Sequence, residues 1–271
     1  MSWLRTIFYA LLSGFTEFLP VSSRAHQMLY MKLFGMDGSM PVLNLFVHLG
    51  ELVAVLFCCW PIILRLRRGQ QHRRRPGTRR VHMIDFDNKL IKTAMLPMVI
   101  LLALNFSSVS RGGLLYLTLT LAVGAAFILV SEHIRHGNKD SRHMSGLDGI
   151  ALGVVSGLSF LPGISRIGAG ISYGVARGAD RKHAINWVIL LSVPALIMLI
   201  VSDFVMIFSG VAETISFVVI LQYLLAVAAA FFAGYGGIQL MRILAKSIDF
   251  SGFGYYSLGV ALLSLFIYLI V

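Results

Sequence analysis

The 271 residues are 57% hydrophobic and only 13% charged, and the mean hydropathy is +0.81. Soluble domains carry roughly 25% charged residues, so a soluble globular protein is excluded and an all-α polytopic membrane protein is expected. Much of the net charge of +11 sits in one stretch, Arg65 to Arg80, which marks a cytoplasmic loop able to touch anionic lipid and gives no ground for a nucleic-acid partner.

In chain order, Trp3–Phe34 is apolar but interrupted by Pro, Ser and charge. No small-residue cleavage site follows Arg5, so no cleaved signal peptide is expected. Leu43–Leu64 reads as a spanning helix, since about 20 apolar residues cross a bilayer core. Cys58 and Cys59 within it are expected as buried thiols. Residues 65–89 form the basic loop, and Leu90–Val109 and Leu114–Val130 are the next two spans. Gly149–Arg177 is a second interrupted stretch, and His183–Val205, Ile215–Leu240 and Phe253–Val271 complete six spanning segments.

The interrupted stretches carry the same words. FLPVSSR runs from Phe18 to Arg24 and FLPGISR from Phe160 to Arg166, with five of seven letters shared at an offset of 142 residues. A break at membrane depth is tolerated only against protein or a water-filled cavity, so both stretches are expected to enter as broken-helix, re-entrant hairpins lining a polar pocket. Placing residues 65–89 in the cytoplasm puts the other basic clusters there too: Arg135, Lys139 and Arg142; Arg177, Arg181 and Lys182; Arg242 and Lys246. The links Ser110–Gly113 and Ser209–Thr214 then fall outside. The first hairpin enters from outside and the second from inside. The expected fold is an inverted-topology repeat, residues 1–134 and 135–271, each with one re-entrant hairpin and three spans. The two FLP turns meet near the midplane.

Pro20 breaks the first helix because it lacks an N–H. Ser22 and Ser23 stand where a half-helix begins, and such an N-terminus attracts phosphate. Glu17 approaches from the preceding arm, and Ser23 and His26, three apart, share a helical face. In the second stretch Pro162-Gly163 makes the break, Ser165 caps, and Arg166 projects a planar fork that matches phosphate oxygens. A Ser-Ser pair alone is ordinarily a cap, and a lone Arg near a helix end snorkels. A charge at mid-membrane costs at least about 2.5–3.5 kcal/mol, so Glu17, Arg24, His26 and Arg166 converging on one repeated element point to phosphate binding and to phosphate-ester or anhydride cleavage. His48 and Glu51, in HLGELVAV, are accessory candidates, with an interfacial, solvated Glu51 as the plain alternative. Asp203, Glu132 and Asp148 lie at expected span ends and are expected to be wet.

GFTEFLPVSSRAH (Gly14–His26), HLGELVAVLF (His48–Phe57) and LPGISRIGAG (Leu161–Gly170) with the following ISYGVARG resemble the undecaprenyl-diphosphate phosphatase family of the bacitracin-resistance type, over nearly the whole chain. The resemblance implies the inverted-repeat fold. It implies hydrolysis of undecaprenyl diphosphate to undecaprenyl phosphate and phosphate at the outer side of the bacterial plasma membrane, recycling the carrier for cell-wall synthesis and contributing to bacitracin resistance. By position, Glu17 matches the family's essential carboxylate, Ser23 its nucleophile or phosphate ligand, and His26 its nucleophile or general acid. Ser165 and Arg166 match its phosphate-binding pair, which Ser22, Arg24 and Gly163 would complete here. Family activity is usually dependent on a divalent cation, Mg²⁺ or Ca²⁺. The family has Glu or Gln where this chain has Ser13, Thr-Gly where it has Arg24-Ala25, and Ser and Thr where it has Ile167 and Gly170. Glu17 alone holds such a metal poorly; Arg24 could stand in for the cation, or Glu51 for the missing carboxylate. A polyprenyl-phosphate transporter without catalysis, a phosphatase for another lipid phosphate, and a homodimer all stay open.

Overall fold

The structure is a computed structural model that describes residues 2–36, 40–72, 79–106, 112–134, 137–209, 217–245 and 249–270, apart from the side chains of 66–72, 79–86 and 105–106. Ten α-helices account for nearly all of it: α1 (Trp3–Glu17), α2 (Ser23–Leu33), α3 (Pro41–His72), α4 (Arg79–Leu102), α5 (Leu114–Glu132), α6 (Gly146–Gly157), α7 (Arg166–Ala176), α8 (Arg181–Phe208), α9 (Phe217–Leu244) and α10 (Ser251–Ile270). The chain is an all-α polytopic membrane protein. Both interrupted stretches are broken helices, α1–α2 and α6–α7.

Among the described residues, five helices are long and apolar enough to cross a membrane: α3 over Pro41–Arg65, α5, α8, α9 and α10. The sixth expected span, Leu90–Val109, begins within α4, runs past the described residues after 106, and is not among these five. The basic stretch differs from the expected loop. Its backbone stays helical to His72 and is helical again from Arg79, while residues 73–78 lie outside the described residues. Arg, Leu and Gln are good helix formers, so nothing in RLRRGQQH obliges α3 to stop at the membrane surface. The links expected at Ser110–Gly113, Ser209–Thr214 and Arg242–Asp249 fall partly outside the described residues.

Several helix pairs survive exchange of the first five helices for the last five, whereas α7 packs on α5 and α8 without comparable contacts of α2 on α10 and α3 among the described residues. α1 packs on α9 as α6 packs on α4; α3 packs on α8 and α5 on α10; α1 packs on α2 as α6 packs on α7. Small residues allow the closest of these approaches. A Cβ on Gly14 would lie 2.4 Å from the Ala230 carbonyl oxygen, and one on Gly153 would lie 2.1 Å from that of Ala94. The main core gathers Phe18, Leu19 and Val21 from the first break with Ile167 and Ile171 of α7 and Val188, Leu191 and Leu196 of α8. The apolar residues of the breaks thus anchor the centre and leave their polar neighbours to face a cavity. Cys58 and Cys59 are buried and free, as expected.

The acids expected at wet span ends are instead buried and paired across helices. Glu132 accepts from Arg181 at 2.6 Å, Asp148 accepts from Arg177 at 2.6 Å, and Asp203 pairs with His48 at 2.7 Å. Glu51 is fully buried, against the solvated alternative. Each carboxylate is offset by a donor on another element, which a single helix's pattern does not display.

Candidate active site

The site grows from the two helix breaks. Pro20 and Pro162 each sit just past a helix end, and a serine restarts the chain as a helix in both places. Ser22 caps α2 by accepting from the Ala25 N–H at 3.3 Å, and Ser165 caps α7 by accepting from the Gly168 N–H at 3.1 Å. Two half-helix N-termini, with their free N–H groups and positive dipole ends, are thereby brought together.

The breaks also hold each other. Ser22 Oγ accepts from the Gly163 N–H at 3.0 Å, and Ser165 Oγ donates to the Leu19 carbonyl at 3.1 Å. Arg24 Nη1 donates to the Phe160 carbonyl at 2.9 Å, and Arg166 Nη2 donates to Glu17 Oε1 at 2.7 Å. The two arginines occupy the same place in the repeated motif, and each crosses to the opposite break. Gly163 makes the second turn possible with φ of 110°, where a Cβ would lie 2.4 Å from Thr120 Oγ1 and 2.6 Å from the Leu121 nitrogen. Gly163→Ala is expected to lower stability by at least about 1–3 kcal/mol from backbone strain alone. A thermal melt in detergent would show it, and an unchanged melting temperature would contradict this account of the turn.

Two adjoining lobes of open space lie at the breaks. The first, about 420 Å³, is lined by Glu17, Ser22, Ser23, Arg24, Ser165 and Arg166, with Leu102, Leu199 and others as apolar wall. The second, about 710 Å³, shares Glu17, Ser23, Arg24 and Leu199 with the first and adds Gln27, Asn44, His48, Ser202 and Asp203. Six of the expected site residues therefore converge in one lobe, and Gly163 backs it through Ser22.

Two expected residues are placed differently. His26 lines neither lobe: its Nδ1 lies 2.7 Å from the Ser22 carbonyl oxygen, its Nε2 lies 2.7 Å from the Tyr256 hydroxyl, and its ring stacks on Tyr256. The three-residue step from Ser23 is enough to turn His26 toward α10. Glu51 lies behind the wall, where its Oε1 accepts from Ser13 Oγ at 2.7 Å and Ser13 Oγ accepts from Gln27 Nε2 at 2.6 Å. Glu51 Oε2 is buried with no hydrogen-bond partner. The sequence did not single out Gln27, Asn44 and Tyr256, and it placed Asp203 at a wet span end rather than in the site. Of these only Asp203 carries a signal, as an acid inside an apolar segment.

The donors do not suit a divalent cation. Glu17 faces a guanidinium, Glu51 is held by Ser13, and among the described residues no group of three or more His, Cys, Asp or Glu is placed to hold a metal. The positive charge in the first lobe comes from Arg24, Arg166 and two helix N-termini. Such a site binds phosphate oxygens and steadies the charge that develops on them.

Residues 6–263 match the family model described as bacitracin resistance protein BacA. The undecaprenyl-diphosphatase of Mycobacterium sp. (strain KMS) is 31% identical over 273 residues, covering 98% of this chain and 97% of that one. That of Carboxydothermus hydrogenoformans is 29% identical over 269 residues, 98% of each chain. Undecaprenyl-diphosphatase 3 of Bacillus cereus (strain ATCC 14579) is 28% identical over 268 residues, 98% of this chain and 97% of that one.

Proposed function

Since the chain belongs to the bacitracin resistance protein BacA family, we propose that it is an integral-membrane phosphatase that hydrolyses undecaprenyl diphosphate to undecaprenyl phosphate and phosphate. The reaction would return the carrier lipid to cell-wall synthesis and contribute to bacitracin resistance. One observation carries the reading: two arginines and two serine-capped helix N-termini enclose a single lobe with Glu17 and Ser23 on its wall.

In this lobe the diphosphate oxygens meet Arg166, Arg24 and the N–H groups of the α2 and α7 first turns. Neutralising those oxygens is the main contribution expected in phosphoryl transfer. The attacking oxygen is that of Ser23 or of a water beside Glu17. It bonds to the terminal phosphorus as the bridging P–O bond breaks, and the electron pair stays with the lipid monophosphate; where Ser23 attacks, a water then displaces it from the phosphorus, which releases phosphate and restores the hydroxyl. Ser22 and Ser165 fix where the two half-helices begin. His26, bonded to the Ser22 carbonyl and to Tyr256, acts as a positioning residue for α2. Arg24 takes over charge that a divalent cation would otherwise supply.

The setting is the bacterial plasma membrane, with the two halves, residues 1–134 and 135–271, as an inverted repeat. Residues 65–89 face the cytoplasm against anionic lipid, and the cavity opens to the outer side. The placement of nearly every basic cluster on one face of the sequence-derived topology supports this orientation.

The test is phosphate release from undecaprenyl diphosphate by purified protein in detergent, with Mg²⁺, with Ca²⁺ and with a chelator. Release that persists under the chelator is the expected result. Release only from another lipid phosphate would reassign the substrate. Bound lipid with no release would favour a transporter, an architecture that the exchangeable helix pairs also suit.

A further inference from the structure

On the phosphatase reading above, we infer that His48, held by Asp203, is the proton donor to the departing phosphate in this chain. His48 sits on α3 and Asp203 on α8, and His48 Nδ1 lies 2.7 Å from Asp203 Oδ2. A carboxylate only accepts, so Nδ1 carries a hydrogen toward Asp203 and the ring is fixed with Nε2 as its working nitrogen. Nε2 has no hydrogen-bond partner among the described residues, and the ring forms part of the second lobe's wall. That lobe adjoins the first, and Glu17, Ser23 and Arg24 line both.

Burial separates this pair from an ordinary surface contact, since His48 is 8% exposed and Asp203 6%. The other histidine of the region, His26, lines neither lobe, and its two nitrogens already meet the Ser22 carbonyl and the Tyr256 hydroxyl. An imidazole oriented by a buried carboxylate and facing a reaction space is the arrangement that general acid–base chemistry uses.

The step balances with water as the only co-reactant. Nε2–H gives its proton to the bridging oxygen as that oxygen's bond to the terminal phosphorus breaks, and the oxygen keeps the electron pair. The attacking oxygen releases its proton to solvent in the open lobe, and the imidazole recovers one from the same solvent. Asp203 takes no part in the transfer; it is a positioning residue.

The measurement is kcat and KM for phosphate release from undecaprenyl diphosphate by His48→Gln, Asp203→Asn and the double substitution His48→Gln/Asp203→Asn, each shown to be monodisperse in detergent. His48→Gln is expected to lower kcat by about 10²-fold or more, with KM changed by less than about threefold. Asp203→Asn should fall between it and the wild type. The double variant replaces a buried ion pair with a neutral hydrogen-bonding pair, so it should fold even if a single variant does not. Its kcat should be no better than that of His48→Gln. Recovery of kcat in the double variant would make the pair structural and overturn the inference, as would an unchanged kcat in His48→Gln. A wild type that releases no phosphate would instead overturn the phosphatase reading, and this inference with it.

Discussion

Arg166→Ala is expected to reduce phosphate release from undecaprenyl diphosphate by about 10³-fold or more, the range seen when a guanidinium that steadies a transferring phosphoryl group is removed. The Arg166 side chain is 5% exposed, sits at the start of α7 and lines the first lobe, where a substrate phosphate would meet it. Its Nη2 bonds Glu17, and its Nε is buried without a protein partner, so part of the fork is uncommitted. Alanine would also leave Glu17 as an uncompensated buried charge, at a cost of about 3–5 kcal/mol. A melting curve must therefore accompany the rate. Arg166→Lys separates the two effects. It keeps the charge beside Glu17, so stability should largely return. It lacks the planar fork, so the rate should stay well below wild type. A lysine variant with full activity would sink the role assigned here.

Arg24→Ala is expected to lower kcat/KM by about 10²-fold, comparable to loss of one preorganised donor at a developing oxyanion. Arg24 lines both lobes and ties α2 to the second break through the Phe160 carbonyl. Losing that bond costs about 1–3 kcal/mol if the carbonyl stays buried and unpaired. The informative comparison is wild type against variant under chelator. If Arg24 carries the charge that a cation supplies elsewhere, wild-type release is insensitive to chelator and the variant is slow with or without it. Wild-type activity that collapses on chelation would return the role to a metal.

The two breaks were readable because proline has no N–H and serine caps helices, two local facts that hold wherever the residues occur. The first lobe followed from them: Glu17, Ser22, Ser23, Arg24, Ser165 and Arg166 are all within a few residues of a break. The second lobe was not readable in the same way. His48 and Asp203 are 155 residues apart, and nothing local to either says what stands opposite. The same limit hid the partners of Glu132 and Asp148. His26 shows the converse: helical spacing placed it near Ser23, but only the packing of α10 through Tyr256 decides which way it turns. The continuation of α3 into the basic stretch as far as His72 was missed because charge indicates side of membrane, not backbone conformation.

Every polar tie named between the two breaks joins one half of the chain to the other: Ser22 to Gly163, Ser165 to Leu19, Arg24 to Phe160, and Arg166 to Glu17. This has a consequence for biogenesis. The first hairpin leaves the ribosome with its hydrogen-bonding partners still untranslated, and at roughly 5–20 residues per second they follow about seven to thirty seconds later. Over that interval its broken backbone needs water or the polar interior of the insertion machinery, since lipid offers nothing in return. The first half made alone should therefore be a client for membrane proteases, and the second half supplied as a separate chain should rescue it.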